Sequence, residues 1–355
     1  MQLIRLAVVA LSLVAAFASI GRADDEFVAK TQIYVDSDAT TVVSPLVRIA
    51  KDAWTGSTLG ASFIADVVSS ASVDVVTNAT KHMSDFRKEG TASLTQKISD
   101  TTLSGAYIYS TENDYRSHNL HVGVAQDLLQ KNTNLSLGYS LSLNDVGRSG
   151  DANFHRGLTV HTLDAAYTQN LDPRTIFQVS GTFQNNSGYQ ASPYRFVRIE
   201  AGNEFKVPET DPNTRNRVAA VAALNRHLGK DTALQGDYRF YIDDWGVRSH
   251  TVQLRYLVNV GPVTLRLRGR FYYQNGASFF ESHYLQVQSF VTSDRELSDF
   301  WSVLGGGKID WKIAYASAAL ILEAKTDLFY FGYSNFAYLS SRTGANIEAG
   351  LTVQY

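Results

Sequence analysis

The last ten residues alternate without a break. Ile347, Ala349, Leu351, Val353 and Tyr355 fall on one register, and Asn346, Glu348, Gly350, Thr352 and Gln354 on the other. Successive strand side chains point to opposite faces, so this segment reads as a strand with one wholly apolar face. A transmembrane β-barrel turns that face to lipid and the polar face to its lumen. A terminal aromatic strand is also what the outer-membrane assembly machinery reads, so Tyr355 marks the expected contact with it.

The same pattern recurs upstream. Leu135, Leu137, Tyr139, Leu141 and Leu143 alternate with Ser136, Gly138, Ser140, Ser142 and Asn144. Phe177, Val179, Gly181 and Phe183 alternate with Gln178, Ser180, Thr182 and Gln184. Leu234, Tyr238, Phe240 and Ile242 alternate with Gln235, Asp237, Arg239 and Asp243. One such run is weak, but a long succession of them specifies a β protein. Short turn signals stand at Lys51-Asp52, Ser99-Asp100, Lys131-Asn132, Asp172-Pro173, Gly229-Lys230-Asp231 and Gly261-Pro262, with a less clear one near Lys312 to Ser317. Longer connections are expected at Ser69 to Arg87, Val146 to Leu158, Asn186 to Asn216, Asn275 to Leu297 and Ser334 to Thr343. Short periplasmic turns alternating with long outer loops are the asymmetry of bacterial barrels.

The expected fold is therefore all-β: a transmembrane antiparallel up-and-down barrel of about 16 strands, an even number that puts both chain ends in the periplasm. It begins near Phe27 to Asp36 and closes with Ala345 to Tyr355. Asp66 to Arg87 is the exception to the pattern and is expected as a short helix or an ordered loop. Pro45 falls inside the second strand, where a bulge or a short strand would accommodate it.

The N-terminus agrees. Arg5 precedes an apolar run from Leu6 to Ile20, followed by Gly21-Arg22-Ala23. This reads as a secretory signal peptide over residues 1–23, cleaved before Asp24, leaving 24–355 as the barrel. No later stretch approaches the ~20 apolar residues of a membrane helix. Cysteine is absent, which excludes disulfides, thiol nucleophiles and covalently attached haem. A net charge of -2 argues against a nucleic-acid partner. A soluble sandwich or propeller would need charged solvent faces. Here the non-apolar positions are largely Ser, Thr, Gly, Gln and Asn, and aromatics near strand ends (Tyr107, Tyr109, Tyr272, Tyr273, Phe329, Tyr330) suit interfacial girdles.

Alternation assigns an uneven lumen. The N-terminal half offers Ser136, Ser140, Ser142, Ser180 and Thr182. In the C-terminal half Arg266, Arg268 and Arg270 form an inward ladder opposite Val263, Leu265, Leu267, Phe271 and Tyr273. Arg255 joins it, and Asp237, Arg239, Asp243, Lys308, Asp310, Glu323, Lys325 and Asp327 line neighbouring strands. The expectation is a pore wall with a transverse field, basic stripe against acidic groups, rather than a salt-bridged plug of side chains.

No metal site is expected: His118 and His121 are three apart and point to opposite faces of a strand, and the other histidines are scattered. Asp294 and Glu296 near Arg295 would bind a cation only weakly. No catalytic residue or cofactor is expected. Gly-x-Ser-x-Gly is missing, and His121 beside Ser136 is a pairing that a serine-rich strand produces by chance.

Two segments carry a family resemblance. One is Ser44-Pro45 followed by Asp66-Val67-Val68-Ser69-Ser70-Ala71-Ser72. The other is Arg270-Phe271-Tyr272-Tyr273-Gln274-Asn275-Gly276-Ala277-Ser278-Phe279, then Thr292-Ser293-Asp294-Arg295-Glu296-Leu297-Ser298. With departures at Gly276 and Arg295-Glu296, they resemble an uncharacterised bacterial outer-membrane β-barrel family, a domain of unknown function. The resemblance implies a barrel embedded in outer-membrane lipid, and an envelope redox context with a periplasmic lipoprotein as partner. The resulting expectation is a porin-like channel or transport protein for small polar solutes. The alternative is a non-conducting barrel that scaffolds a periplasmic or surface partner.

Overall fold

The computed structural model describes residues 25–70, 83–200, 202, 204–315 and 318–355. The expected signal segment 1–23 lies outside them, as do residues 71–82 and 316–317 of two expected connections.

In chain order the strands are β1 (Glu26–Asp36), β2 (Thr40–Trp54), β3 (Ser57–Ser70), β4 (Met83–Ile98), β5 (Thr101–Thr111) and β6 (Tyr115–Leu128). Next come β7 (Thr133–Arg148), β8 (Asp151–Asp172), β9 (Thr175–Gly188), and the short β10 (Phe196–Ile199) and β11 (Phe205–Pro208). Then follow β12 (Thr214–His227), β13 (Thr232–Asp243), β14 (Arg248–Val260), β15 (Val263–Gln274), β16 (Phe300–Tyr315), β17 (Ala318–Tyr333) and β18 (Ser341–Gln354). All but β10 and β11 form one closed antiparallel barrel of 16 strands. β1 closes it against β18, from Glu26 opposite Gln354 to Asp36 opposite Gly344. The ends of the barrel therefore share a rim, and closure gives every strand a ladder on both edges. No helix of the described residues is long and apolar enough to cross a membrane.

The apolar register faces outward. Leu267 is 65% exposed and Leu328 62%, and the same face carries Leu120, Leu137 and Leu254. Exposure of large side chains on this scale requires lipid. Tyr107, Tyr273 and Tyr330 lie on it too. Tyr272 and Phe329, expected in the aromatic girdle, sit on the inner face instead, because the neighbouring aromatic in each Tyr-Tyr or Phe-Tyr pair takes the outer one.

Three connections differ from the sequence reading. The reversal between β2 and β3 is at residues 55–56, not Lys51-Asp52, because Gly56 supplies the left-handed backbone there (φ 74°). Val146 to Leu158 is not a long loop: β7 and β8 continue to a two-residue turn built on Gly150 (φ 83°). Alternation fades there because these strand ends rise past the apolar band and keep no lipid face. Pro45 needs neither a bulge nor a short strand. β2 runs through it, and the ladder to β3 passes from Val43 opposite Val67 to Leu46 opposite Ile64 in unchanged register. The pairs at Ser44 and Pro45 are missing, as a residue without an N–H requires. The ends of Asp66 to Arg87 are strand, in β3 and β4.

Candidate functional site

The charged residues converge on the inner face of adjacent strands, and the register stacks them in tiers. Arg268, Gly306, Asp327 and Asn346 form one tier across β15, β16, β17 and β18. Arg266, Lys308, Lys325 and Glu348 form the tier below, and Asp310, Glu323, Gly350 and Lys30 of β1 lie lower still. Above them, toward the long loops, the wall turns aromatic at Phe329, Phe331 and Tyr272.

Ion pairs knit the lower tiers into a belt of alternating sign. Lys308 reaches Asp310 (2.7 Å) and Glu323 (2.8 Å), and Glu323 also holds Lys30. Lys325 reaches Glu348 (3.3 Å) and Asp327 (3.6 Å), and Asp327 accepts from Arg268 (2.6 Å). Arg255 pairs with Asp237 at 3.1 Å on the neighbouring strand. The expected transverse field of a basic stripe against an acidic one is therefore not what the wall builds. Acids and bases interleave on contiguous strands, which cannot stand on opposite sides of the lumen.

Glycine makes the belt possible. Gly306 lies directly between Arg268 and Asp327, and Gly350 directly between Lys30 and Glu323. Each pair spans an intervening strand, and only a residue without a side chain leaves it room. A Cβ on Gly350 would stand 2.7 Å from Glu323 Oε1 and 2.7 Å from Lys30 Cγ. A Cβ on Gly306 would overlap the Asp327 carboxylate. Gly344 makes similar room in the aromatic tier, where Tyr34 of β1 stacks on Phe329 of β17 at 5.5 Å.

Not every base is matched. Arg239, Arg266 and Arg270 make no ion pair among the described residues. The guanidinium of Arg239 lies 5.3 Å from the Tyr241 ring and that of Arg270 5.8 Å from Tyr272, contacts that hold a cation without neutralising it. The wall thus carries a surplus of positive charge.

The opposite arc carries fewer charges. Ser117, Ser142, Ser180 and Thr182 line it with small hydroxyls, and Arg87 with Asp66 (2.6 Å) and Glu89 (3.2 Å) forms its local charged group. His121 faces in and His118 out. The hydroxyl beside His121 is that of Ser140, 2.9 Å from Nδ1, not Ser136, because the register sets Ser140 directly opposite.

The two longest loops pack on each other above the charged wall. β10 and β11 form a hairpin whose Val197 and Ile199 bury with Tyr284 and Val291 of the loop between β15 and β16. Ile199 bridges to Tyr284 and Thr210 to Val291. Buried Glu209 ties the two loops, accepting from Ser192 N–H (2.9 Å), Arg195 (3.0 Å) and Thr292 Oγ1 (2.5 Å). Asp294 pairs with Arg195 at 3.1 Å and its side chain accepts from the Glu296 N–H. One end of this strap reaches the β7–β8 turn, where Ser149 N–H donates to Tyr194. The other reaches the β1–β2 turn, where Arg295 pairs with Asp38. Trp245 and Val247 of the β13–β14 turn support its middle with Ala277 and Leu297.

Asp211 gives the strap a pH dependence. Burial first, then the carboxylates of Glu209 and Asp294, push its carboxyl up to about 8. The folded strap therefore holds a proton that the unfolded one releases near ~4. Strap stability falls as pH rises from that range to about 8 and is level above it. Exchange protection of the Val291 amide, corrected for intrinsic rates, is expected to be several-fold greater at low pH than at pH 8. Asp211→Asn should erase the difference; a surviving slope would place the titration elsewhere.

A family model described as "Protein of unknown function (DUF3570)" matches residues 5–163 and 152–328. The chain belongs to this family. Among solved structures, a bacterial polysaccharide outer membrane secretin is similar with a TM-score of 0.55 at 7% identity, covering 94% of this chain and 99% of that one. CdiB from Acinetobacter baumannii is similar with a TM-score of 0.51 at 10% identity, covering 92% of this chain and 60% of that one. At such identities the likeness is one of fold, an outer-membrane β-barrel. No curated protein matches.

Several residues that shape this DUF3570 barrel's lumen escaped sequence reading. Arg215 and Arg217 belong to β12, inside or next to the expected loop Asn186 to Asn216, and face inward; Arg215 pairs with buried Asp243 at 2.5 Å. The alternation Arg215, Arg217, Ala219, Val221 against Val218, Ala220, Ala222, Leu224 was the available signal, but its two faces are too alike in polarity to read. Glycine spacing could have located Gly306 and Gly350, though not their neighbours.

Proposed function

We propose that this DUF3570 barrel is an outer-membrane channel for small polar solutes, exported by a cleaved signal peptide and inserted through its Tyr355 strand. The observation that carries the reading is the solvent access of its charged inner wall. Lys30 and Arg255 keep 30% and 29% of their side-chain surface, and Arg270 is exposed, so side chains do not fill the lumen. A barrel of this strand number is wide enough to hold water. The unmatched Arg239, Arg266 and Arg270 bias it toward anions.

Planar-bilayer recording under a salt gradient tests this. The wild-type barrel is expected to show discrete steps with an anion-selective reversal potential. Replacing Arg266, Arg268 and Arg270 with Gln is expected to move that potential through zero toward cations. Discrete conductance with unchanged selectivity would remove the ladder from the pathway.

A second reading is favoured by the strap: a scaffold that conducts little and presents the strap, or its opposite rim, to a partner such as a lipoprotein. Electrical silence of a folded barrel, together with a co-purifying lipoprotein, would select it.

A further inference from the structure

Beneath the strap, at the level of the aromatic tier, lies a cavity of about 440 Å³. Its walls include Tyr34, Tyr272, Phe329, Phe331, Arg270 and Asn346. The volume falls in the range of small-molecule sites. Tyr34 and Phe329 stack at 5.5 Å, and Phe331 stands edge-on to Phe329 at 5.7 Å, so the aromatic wall is rigid and presents ring faces. Gly344 is what lets Phe329 lie there, since a Cβ at that position would overlap its ring.

Polar groups line the same cavity. Arg270, an exposed residue, makes neither a hydrogen bond nor an ion pair among the described residues. Half-buried Asn346 adds a side-chain amide to the same lining. A cation and an amide beside ring faces suit a ring that carries a carboxylate and a hydroxyl. The cavity's one acid, Glu296, sits 3.7 Å from Arg342 and 3.8 Å from Arg295. It leaves room for one added negative charge and opposes a second.

We infer that this cavity binds a monoanionic, hydroxylated ring carboxylate. Its carboxylate would meet Arg270, its hydroxyl would donate to Asn346, and its ring face would lie on Phe329 and Tyr34. The inference deepens the channel reading and rests on it for access from the lumen. A sugar acid and a hydroxylated aromatic acid share this chemistry, and the test separates them.

Titration calorimetry on the detergent-solubilised barrel, with glucuronate and 4-hydroxybenzoate as probes and glucose and phenol as uncharged counterparts, reads binding. Bilayer recording with the same probes reads block of the current. At least one acid is expected to bind and block, with its uncharged counterpart at least tenfold weaker. Arg270→Gln should weaken the acid at least tenfold, and Phe329→Ala should weaken it with the barrel still heat-modifiable on a gel. Glucuronate alone would identify a sugar acid, and 4-hydroxybenzoate alone an aromatic one. Binding of neither, or binding indifferent to Arg270→Gln, would overturn the inference and leave any measured conductance standing. Binding without conductance would instead sink the channel reading and keep the cavity.

Discussion

Glu209→Ala is expected to raise single-channel conductance several-fold while the barrel stays folded. Glu209 is the buried knot of the strap: its side chain has no exposed surface, and it accepts from three groups drawn from both loops. Truncation leaves the Ser192 N–H without its acceptor and takes the Glu209 carboxylate away from Arg195. Removing one partner of a buried charge pair typically costs about 3–5 kcal/mol. The strap's own apolar cluster is small, the four buried residues Val197, Ile199, Tyr284 and Val291, so the loss of Glu209 is expected to open it. None of these groups belongs to a ladder of the barrel, so the wall survives. Conductance and exchange at the Val197 and Val291 amides should change together. Lost protection with unchanged conductance would show that the strap does not obstruct the pathway.

How much of this was legible in the sequence follows from which interactions are local. Period-two alternation needs only neighbouring residues, so it specified the strands, the closed barrel and its approximate strand number. It also told Arg268 from Leu267 by face without knowledge of any partner. What it could not supply was lateral distance. Arg268 and Asp327 are far apart in sequence and meet only because β15, β16 and β17 align in one register over Gly306. The expectation of opposed basic and acidic stripes failed at that step. The strap was hidden for a related reason. Val197 and Val291 lie in loops without periodicity, and they become a core only when the barrel brings both loops to one rim.

The glycines of β16 allow the sharpest test of the wall. Gly305 and Gly306 are adjacent, with the same intrinsic strand propensity, and differ only in face. Gly305 points outward, and a Cβ there meets nothing within 4 Å. Gly305→Val should therefore be neutral or stabilise by up to ~1 kcal/mol, since valine suits a strand and packs against lipid. Gly306 points inward, where a Cβ would overlap the Asp327 carboxylate and stand 2.7 Å from the Thr326 carbonyl oxygen. Asp327 keeps 2% of its side-chain surface and holds Arg268 at 2.6 Å and Lys325 at 3.6 Å. Gly306→Val must drive that carboxylate away and leave Arg268 unmatched, with Lys325 keeping Glu348, at a cost of about 3–5 kcal/mol. Urea titrations of each variant refolded into lipid vesicles, read by heat-modifiable gel migration, give the comparison. A large loss at Gly306 beside none at Gly305 locates stability in the pairs that cross the strand. Equal losses would mean that β16 resists any side chain there, and that the belt contributes little.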